Sequence, residues 1–288
     1  MTKGIAVVSG GLDSTTMIYH MLNEGHELDL VSFNYGQRHQ KELRFAAAIA
    51  RHLSLRHDIV DLTALTQHIS NSALTSGFHQ PVMHKIDPTN YPHYSKGNVE
   101  VPEGHYAEDT MKATVVPNRN MIMLSIAAGI AVNRGVQFVA TAVHSGDHFI
   151  YPDCRQMFIE LCSATVWTAN EGFGSFQFRD EAVTAPFLHR SKADIAYRAL
   201  QLGVPIHMTW SCYKGEEHHC GKCGTCVERL EAIDEALTHL ADLPAEQYKA
   251  IRAKHATIGG RWDQTIYDDE EFWRQAVREK KEAEAAKK

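Results

Sequence analysis

Short apolar runs alternate with amphipathic segments along the first part of the 288-residue chain. Residues 4–8 (GIAVV) are a continuous apolar run that ends in Ser-Gly-Gly, which is typical of a buried parallel strand before a tight turn. The pattern then predicts a helix over 12–22, a strand over 28–33, a helix over 42–53 and a strand over 57–60. This βαβαβ order indicates a doubly wound parallel α/β sheet.

The periodicity is lost between Thr75 and Thr110, so we expect a long irregular excursion over 75–110. It returns in a second half that is mainly helical. We predict a strand over 137–142 and helices over 120–134, 153–170, 191–202, 227–240, 244–255 and 270–288, the last of them highly charged.

Charge and apolar content exclude several classes of protein. The formal net charge of −6 speaks against a basic surface that coats nucleic acid, so no direct nucleic-acid partner is expected. The longest mostly apolar stretch, 121–132, is shorter than the roughly 18 residues that a membrane span needs. The N-terminus has no signal-type apolar region. We therefore expect a cytoplasmic protein that does not associate with membranes.

Four of the six cysteines follow the spacing C-x7-C-x2-C-x2-C, and they are Cys212, Cys220, Cys223 and Cys226. In a reducing compartment such a cluster favours metal binding or catalysis over disulfides. Four thiolates form a closed tetrahedral zinc site with no open position, so we expect one structural Zn²⁺ per chain. A redox pair, iron–sulfur ligation and unligated thiols are the alternatives, and His218 or His219 could replace one thiolate.

The segment SGGLDSTT (9–16) stands where the first strand ends and the first helix begins. Its glycines let the backbone approach a phosphate closely, and the helix N-terminus presents free N–H groups. The alternative is a plain turn with Asp13 as a helix cap. No Lys follows the glycines as in GxxxxGK[ST], so this is not the usual ATPase loop. Expected nucleotide contacts extend from the loop into its flanks: Val8, Ser9, Gly10, Gly11, Leu12, Asp13, Ser14, Thr15, Thr16, Met17 and Ile18.

Three arginines lie in loops or at helix starts where a parallel sheet of this kind binds ligands, and they are Arg38, Arg119 and Arg155. Their convergence on an anion is one expectation, and solvated surface charges are the other. Asp147 follows the 137–142 strand between His144 and His148, which favours a polar substrate contact over a loop hydrogen bond. Cys154 and Cys162 are expected to be two separately buried helix cysteines; the alternative is that the pKa of Cys154 is lowered at the predicted helix start beside Asp153.

Four further motifs accompany SGGLDST in a fixed order: YGQRH at 35–39, VPNRN at 116–120, YPDCR at 151–155, and SCY at 211–213 followed by the cysteine cluster. Over about residues 4–240 the set resembles the 7-cyano-7-deazaguanine synthase (QueC) family of the N-type ATP pyrophosphatase (PP-loop) superfamily. The resemblance implies an adenine nucleotide α-hydrolase-like (HUP-type) fold. It also implies a nucleotide and substrate domain over 1–205 and a zinc-binding helical lobe over 206–288.

The activity that this resemblance implies is the conversion of 7-carboxy-7-deazaguanine, ammonia and ATP with Mg²⁺ into a nitrile, through an adenylated acid and an amide, for queuosine precursor synthesis. It implies nucleotide contacts from Arg38 and Lys192. Catalytic roles are implied for Asp13, Ser14, Arg119, Asp147 and Arg155. Two alternatives stay open: a PP-loop enzyme that modifies tRNA or forms an amide, and a zinc-ribbon interaction module that only binds nucleotide. A homodimer also stays open.

Overall fold

A five-stranded parallel sheet is the centre of the fold, in the order β3-β2-β1-β4-β5. The computed structural model describes residues 2–66, 72–75, 100–105, 107, 111–170, 181–215 and 218–256. The strands are β1 (Lys3–Val7), β2 (Glu27–Asn34), β3 (His57–Asp61), β4 (Phe138–Ala140) and β5 (Val183–Thr184). The chain winds outward from β1 to β3 and then crosses to β4 on the other side of β1. The order therefore reverses between β1 and β4, and ligands bind at such a switch point in open α/β sheets.

Helices cover both faces of this sheet. They are α1 (Leu12–Asn23), α2 (Lys41–His52), α3 (Thr63–Thr66), α4 (Arg119–Arg134), α5 (Gln156–Ala169), α6 (Lys192–Leu202), α7 (Gly224–Ala241) and α8 (Ala245–Ala256). Neighbouring residues of β1 point to opposite faces, so Ile5 packs in the core with α4 and α5 while Ala6 packs with α1, α2 and α6. Both residues are fully buried. The structure thus confirms the doubly wound parallel sheet.

Most predicted elements are present with ends within a few residues of the expected ones. The helix expected over 153–170 begins only at Gln156, because Pro152–Cys154 form a separate 3-10 turn and Arg155 is extended at the helix N-cap. The strand expected over 137–142 is limited to β4, and the short β5 was not predicted. The predicted helix over 270–288 and most of 75–110 lie outside the described residues.

One described segment, Lys112–Arg134, is long and apolar enough for a membrane span by length and composition alone. Its continuous helix is only α4, since Val115 is extended and Asn118 adopts the left-handed conformation before the helix begins. Leu124 and Ala127 of α4 are buried in the core that also contains Ile5. These contacts are those of a core helix packed on a sheet.

Candidate active site

A cavity of about 230 Å³ lies at the carboxyl edge of the sheet, at the switch point between β1 and β4. Its walls come from the segments that follow β1, β2 and β4 and from the first turns of α1, α2, α4, α6 and α7. Hydroxyl, aromatic, acidic and basic side chains therefore meet in one space.

The loop after β1 forms one end of the cavity. Gly10 has a φ of +85°, and a Cβ there would lie 2.4 Å from the backbone O of Glu42, so only glycine lets α2 pack so closely. The Oγ atoms of Ser9 and Ser14 lie 3.2 Å apart and hold the turn. Gly11 caps α1 without a side-chain hydrogen bond. The first N–H groups of α1 thus stay available to an anion, as the sequence predicts.

A buried charge cluster stands beside this loop. Lys192, the first residue of α6, places Nζ 2.5 Å from Asp13 Oδ2 and 3.5 Å from Glu228 Oε2. Burial tends to raise the pKa of Asp13, but Lys192, His144 and Arg229 together outweigh it and the pKa is lowered. Burial raises the pKa of Glu228 despite the same ammonium. Among the described residues, Asp13 Oδ1 is buried with no hydrogen-bond partner.

His144 links this cluster to the loop after β4. Its Nδ1 accepts the backbone N–H of Gly146, so in the neutral ring the proton is on Nε2. Nε2 lies 3.5 Å from Asp147 Oδ2 and 4.0 Å from Asp13 Oδ2. Because the imidazole faces both carboxylates, it can steady each of them while a ligand enters.

Arg119 and three tyrosines form a second wall. Burial tends to lower the pKa of Arg119. The surrounding phenols and Asp153 outweigh burial, so the pKa lies well above its usual range. The guanidinium lies 5.8 Å from the centre of the Tyr151 ring. Tyr35 and Tyr213 also line the cavity, and burial raises the pKa of Tyr35 to about 12. A fixed guanidinium among aromatic rings suits a flat ligand that carries a carboxylate.

A buried acid–imidazole pair completes this wall. Glu42 Oε2 lies 3.4 Å from His39 Nε2, and both residues are less than a tenth exposed. Gln37 donates from Nε2 to Glu42 Oε1, and its own Oε1 accepts the N–H of Tyr35. Burial raises the pKa of Glu42 to about 8 and lowers the pKa of His39 to about 3. Both side chains are therefore mostly neutral near pH 7.

The structure brings most of the sequence-predicted site residues together. Those that line the cavity are Val8, Ser9, Gly11, Leu12, Asp13, Ser14, Arg119, Asp147 and Lys192. Gly10 shapes the loop from behind. The buried residues of α1 that follow the loop, Thr15, Thr16, Met17 and Ile18, are not part of the lining.

Two of the three predicted arginines lie outside the lining. Arg155 is exposed at the N-cap of α5 and donates from Nε to the carbonyl of His148. Arg38 is half-buried in the loop after β2, and its backbone N–H donates to Leu74. Only Arg119 of the predicted trio faces the cavity, because α4 begins directly at its edge.

The sequence reasoning missed two acidic groups in the cavity. Glu42 follows the YGQRH motif by three residues, in the first turn of a helix, which is a weak signal for a site residue. Glu228 lies two residues after Cys226, and nothing in the local sequence separates it from the surface acids of α7. Both reach the cavity only through the packing of their helices.

Cys154 and Cys162 are both buried, as expected, and the alternative of a lowered pKa for Cys154 is wrong. Burial raises the pKa of this thiol, and the nearby carboxylates of Asp147 and Asp153 raise it further. Its Sγ accepts a hydrogen bond from Asn120 Nδ2 at 3.3 Å. The thiol lines the cavity in its neutral form because the acidic neighbours outweigh the helix start that favoured a thiolate.

The four clustered cysteines converge behind the cavity. Their Sγ atoms all lie within 4.8 Å of one another, and three of the four residues are fully buried. The N–H groups of Lys222 and Cys223 point at Cys220 Sγ, as in a C-x2-C turn around an ion. The geometry can hold a metal ion, in agreement with the cysteine spacing.

Part of the irregular segment packs on this cluster. Glu103 forms an isolated antiparallel bridge with Cys223, and Gly104 donates to the carbonyl of Lys222. Val101 is buried against Trp210 and the cysteines. Residues 100–105 therefore belong to the surroundings of the metal-suited cluster, a contact that the sequence pattern did not indicate.

A doubly wound α/β fold with an anion-binding loop at its switch point defines a nucleotide-binding protein, here with a tetracysteine cluster beside the cavity. The profile described as "Queuosine biosynthesis protein QueC" matches residues 3–237. The chain belongs to the QueC family.

Its relatives agree along nearly the whole chain. A Rhizobium johnstonii protein named 7-cyano-7-deazaguanine synthase is 46% identical over 275 residues, which cover 96% of each chain. A Paracoccus denitrificans protein of the same name is 43% identical over 281 residues and covers 98% of this chain and 100% of its own. The structure of NMN synthetase from Francisella tularensis aligns with a TM-score of 0.41 and 11% identity, over 88% of this chain and 84% of its own. The relatives do not favour the tRNA-modifying or interaction-module alternatives.

Proposed function

We propose that this protein is an ATP-dependent C–N ligase that converts 7-carboxy-7-deazaguanine and ammonia into 7-cyano-7-deazaguanine. The observation that carries the proposal is the meeting, in one cavity, of the SGGLDS loop with Arg119 and its tyrosines. A phosphate site thus faces a site for an aromatic carboxylate. The name shared by the QueC-family relatives supports the same reaction.

The chemistry requires activation because a carboxylate oxygen is a poor leaving group. Attack of the carboxylate on the α-phosphorus of ATP forms an acyl-adenylate and releases pyrophosphate, and ammonia then displaces AMP to form the amide. A second adenylation, on the amide oxygen, lets that oxygen leave and forms the nitrile. Binding in one orientation and charge stabilisation can supply most of the rate, without a covalent enzyme intermediate.

We assign the nucleotide to the loop end of the cavity. The N–H groups of α1 and the hydroxyls of Ser9 and Ser14 would bind the leaving pyrophosphate. The Lys192 ammonium would move partly away from Asp13 and offset the negative charge of the phosphates. Arg119 would orient the substrate carboxylate toward the α-phosphate, with the deazapurine against the tyrosine rings.

The described side chains suit two different metal ions. Four thiolates within one coordination shell suit structural Zn²⁺ better than a hard cation, and the closed set leaves no position for substrate. Mg²⁺ prefers carboxylate oxygens, and the unpartnered Asp13 Oδ1 offers one at the nucleotide end, with Asp147 nearby. Magnesium bound with ATP would neutralise phosphate charge.

The finer assignments follow from this function. We propose free ammonia as the nitrogen source and the cytoplasm as the location of the reaction. We keep the functional division into 1–205 for nucleotide and substrate and 206–288 for the metal lobe. Arg38 and Arg155 stay candidates for contacts with a bound ligand that extends beyond the cavity.

The test is incubation of the metal-replete protein with 7-carboxy-7-deazaguanine, ATP, Mg²⁺ and ammonium, followed by mass spectrometry. We expect the nitrile, with the amide as an earlier species, together with AMP and pyrophosphate. An Arg119→Met variant should lose affinity for the carboxylate substrate while it still binds ATP. Absence of nitrile, amide and AMP from the wild-type reaction would refute the proposal.

A further inference from the structure

The reaction must remove protons from a nitrogen atom, and the groups around the phosphate loop are poorly suited to accept them. Asp13 Oδ2 is held by Lys192, and that ammonium keeps the pKa of the carboxyl low. Glu228 lies on the same ammonium at 3.5 Å. Cys154 is a neutral thiol that accepts from Asn120. Another wall of the cavity offers a carboxyl group that no ammonium holds.

Glu42 is a carboxyl group on the cavity wall with no cation bound to it at ion-pair distance among the described residues. Its Oε1 accepts from Gln37, whose amide is itself fixed by the Tyr35 N–H and the Phe33 carbonyl. Its Oε2 faces the ring of His39 at 3.4 Å. Gln37 therefore fixes the orientation of the carboxyl group, and the proton of the pair lies at Oε2.

The partner of Glu42, His39, is itself a buried imidazole with one unpaired ring nitrogen among the described residues. Its ring is 3% exposed and stacks on Tyr213 with 5.0 Å between the ring centres, while Nδ1 is buried with no hydrogen-bond partner in the described part of the chain. A buried polar nitrogen without a partner is costly in a folded protein. The neutral imidazole can accept the proton of Glu42 at Nε2, or, in its other neutral tautomer, present an N–H at Nε2 to the ionised carboxylate.

Glu42 and His39 lie in the same cavity as Arg119, the residue to which we assign the substrate carboxylate. Arg119, Glu42, His39 and Tyr213 line the same wall, so a carboxylate bound to Arg119 lies near Glu42. Neutral Glu42 does not repel an anionic substrate. Once adenylation has removed the charge of the carboxylate, Glu42 can release its proton to solvent without repelling that group, and its ionised form faces the carbon atom that the nitrogen attacks.

We propose that Glu42, positioned by Gln37 and His39, is the general base that takes protons from the nitrogen during amide and nitrile formation. This role rests on the proposed function. In the first step the ammonia lone pair forms the C–N bond, the C–O bond breaks with its electron pair on AMP, and the surplus N–H proton moves to Glu42. In nitrile formation the nitrogen lone pair and the electrons of two N–H bonds supply the two new C–N π bonds and the lone pair of the nitrile, and the C–O pair leaves again with AMP. Glu42 takes the two protons one after the other and returns each to solvent before it takes the next.

The experiment separates adenylation from the steps that use nitrogen. Exchange of labelled pyrophosphate into ATP, with 7-carboxy-7-deazaguanine and no ammonium, measures adenylation alone. Single-turnover formation of amide and nitrile after ammonium is added measures the nitrogen-dependent steps. Wild type, Glu42→Gln, Glu42→Asp and the exposed control Glu160→Gln of α5 are compared in both assays.

For Glu42→Gln we expect exchange within about threefold of wild type and a nitrogen-dependent rate lower by roughly 10²- to 10⁴-fold, the range of a general base. Glu42→Asp should recover part of that loss, and Glu160→Gln should equal wild type in both assays. Circular dichroism and thermal melting check that each variant is folded.

The pH dependence gives an independent readout when total ammonium is adjusted to keep free ammonia constant. The groups that face Glu42 are His39, Arg119 and Tyr35. The wild-type rate should rise through about pH 8 as Glu42 loses its proton, and the Glu42→Gln rate should be flat.

Two results would overturn the inference. Loss of pyrophosphate exchange in folded Glu42→Gln would place Glu42 in substrate binding or adenylation. A nitrogen-dependent rate of Glu42→Gln within about threefold of wild type would show that Glu42 is not the base. Absence of exchange and of nitrile from the wild type would instead refute the proposed function, and the role of Glu42 would fail with it.

Discussion

Replacement of Lys192 by Met removes the positive charge at the centre of the buried cluster. The ammonium lies 2.5 Å from Asp13 and 3.5 Å from Glu228, and the three side chains are only 15–22% exposed. At an effective dielectric constant of about 20, the two attractions are gross energies of roughly 7 and 5 kcal/mol. Desolvation offsets much of this, and breaking a buried ion pair costs about 3–5 kcal/mol in measured cases. We expect the free energy of unfolding to fall by about 3 kcal/mol near pH 8.

The pKa shifts of Asp13 and Lys192 determine how the stability difference between wild type and Lys192→Met depends on pH. In the wild type Asp13 has a lowered pKa and Lys192 a raised one, so their stabilisation is present across the neutral range. In the variant, burial is opposed only by His144 and Arg229 at Asp13 and by His144 at Glu228, so the pKa values of both carboxyls rise relative to the wild type. Stability is then lost as pH rises through those values, so the deficit should be smaller near pH 5.5, where protonation relieves the unpaired charge.

Urea unfolding followed by circular dichroism at both pH values measures this effect. Lys249→Met is the matched control: Lys249 pairs with Glu246 on the surface, where both side chains are more than two thirds exposed. A surface pair contributes little, so the control should lose less than about 1 kcal/mol. A loss below about 1 kcal/mol in Lys192→Met at pH 8, or an equal loss at both pH values, would refute the reasoning.

Three further predictions concern the metal and the loop. Cys223→Ala should remove most of the bound zinc, measured by elemental analysis, and lower the melting temperature; full zinc content with unchanged melting would show that the ligand set is wrong. Asp13→Ala should abolish ATP turnover while circular dichroism stays unchanged, and retained turnover would move the nucleotide site elsewhere. Gly10→Ala should cost at least about 2 kcal/mol in urea unfolding, because its Cβ would lie 2.4 Å from the Glu42 carbonyl at a φ of +85°. Gly25→Ala, with a φ of +87° and nothing within 4 Å, carries only the backbone strain and should lose less; equal losses would contradict the steric argument.

Local pattern determined much of this protein in advance. The apolar run of β1, the Gly-Gly turn and the start of α1 are contiguous in sequence, and so is the spacing of the four cysteines. Their geometry depends mainly on neighbours along the chain. Strand and helix periodicity, turn chemistry and the C-x2-C spacing therefore predicted them, and the structure places them as expected.

Only the tertiary structure decided which charged groups meet. Lys192 and Asp13 are 179 residues apart, and they pair because α6 packs beside α1. Arg155 has the same sequence signals as Arg119, yet the extended backbone before α5 leaves it exposed. The pKa of Cys154 is raised because burial and the Asp147 carboxylate, brought in by another loop, outweigh its own helix start. Burial and electrostatics sum over all neighbours in space, whereas a sequence pattern reports only the neighbours along the chain.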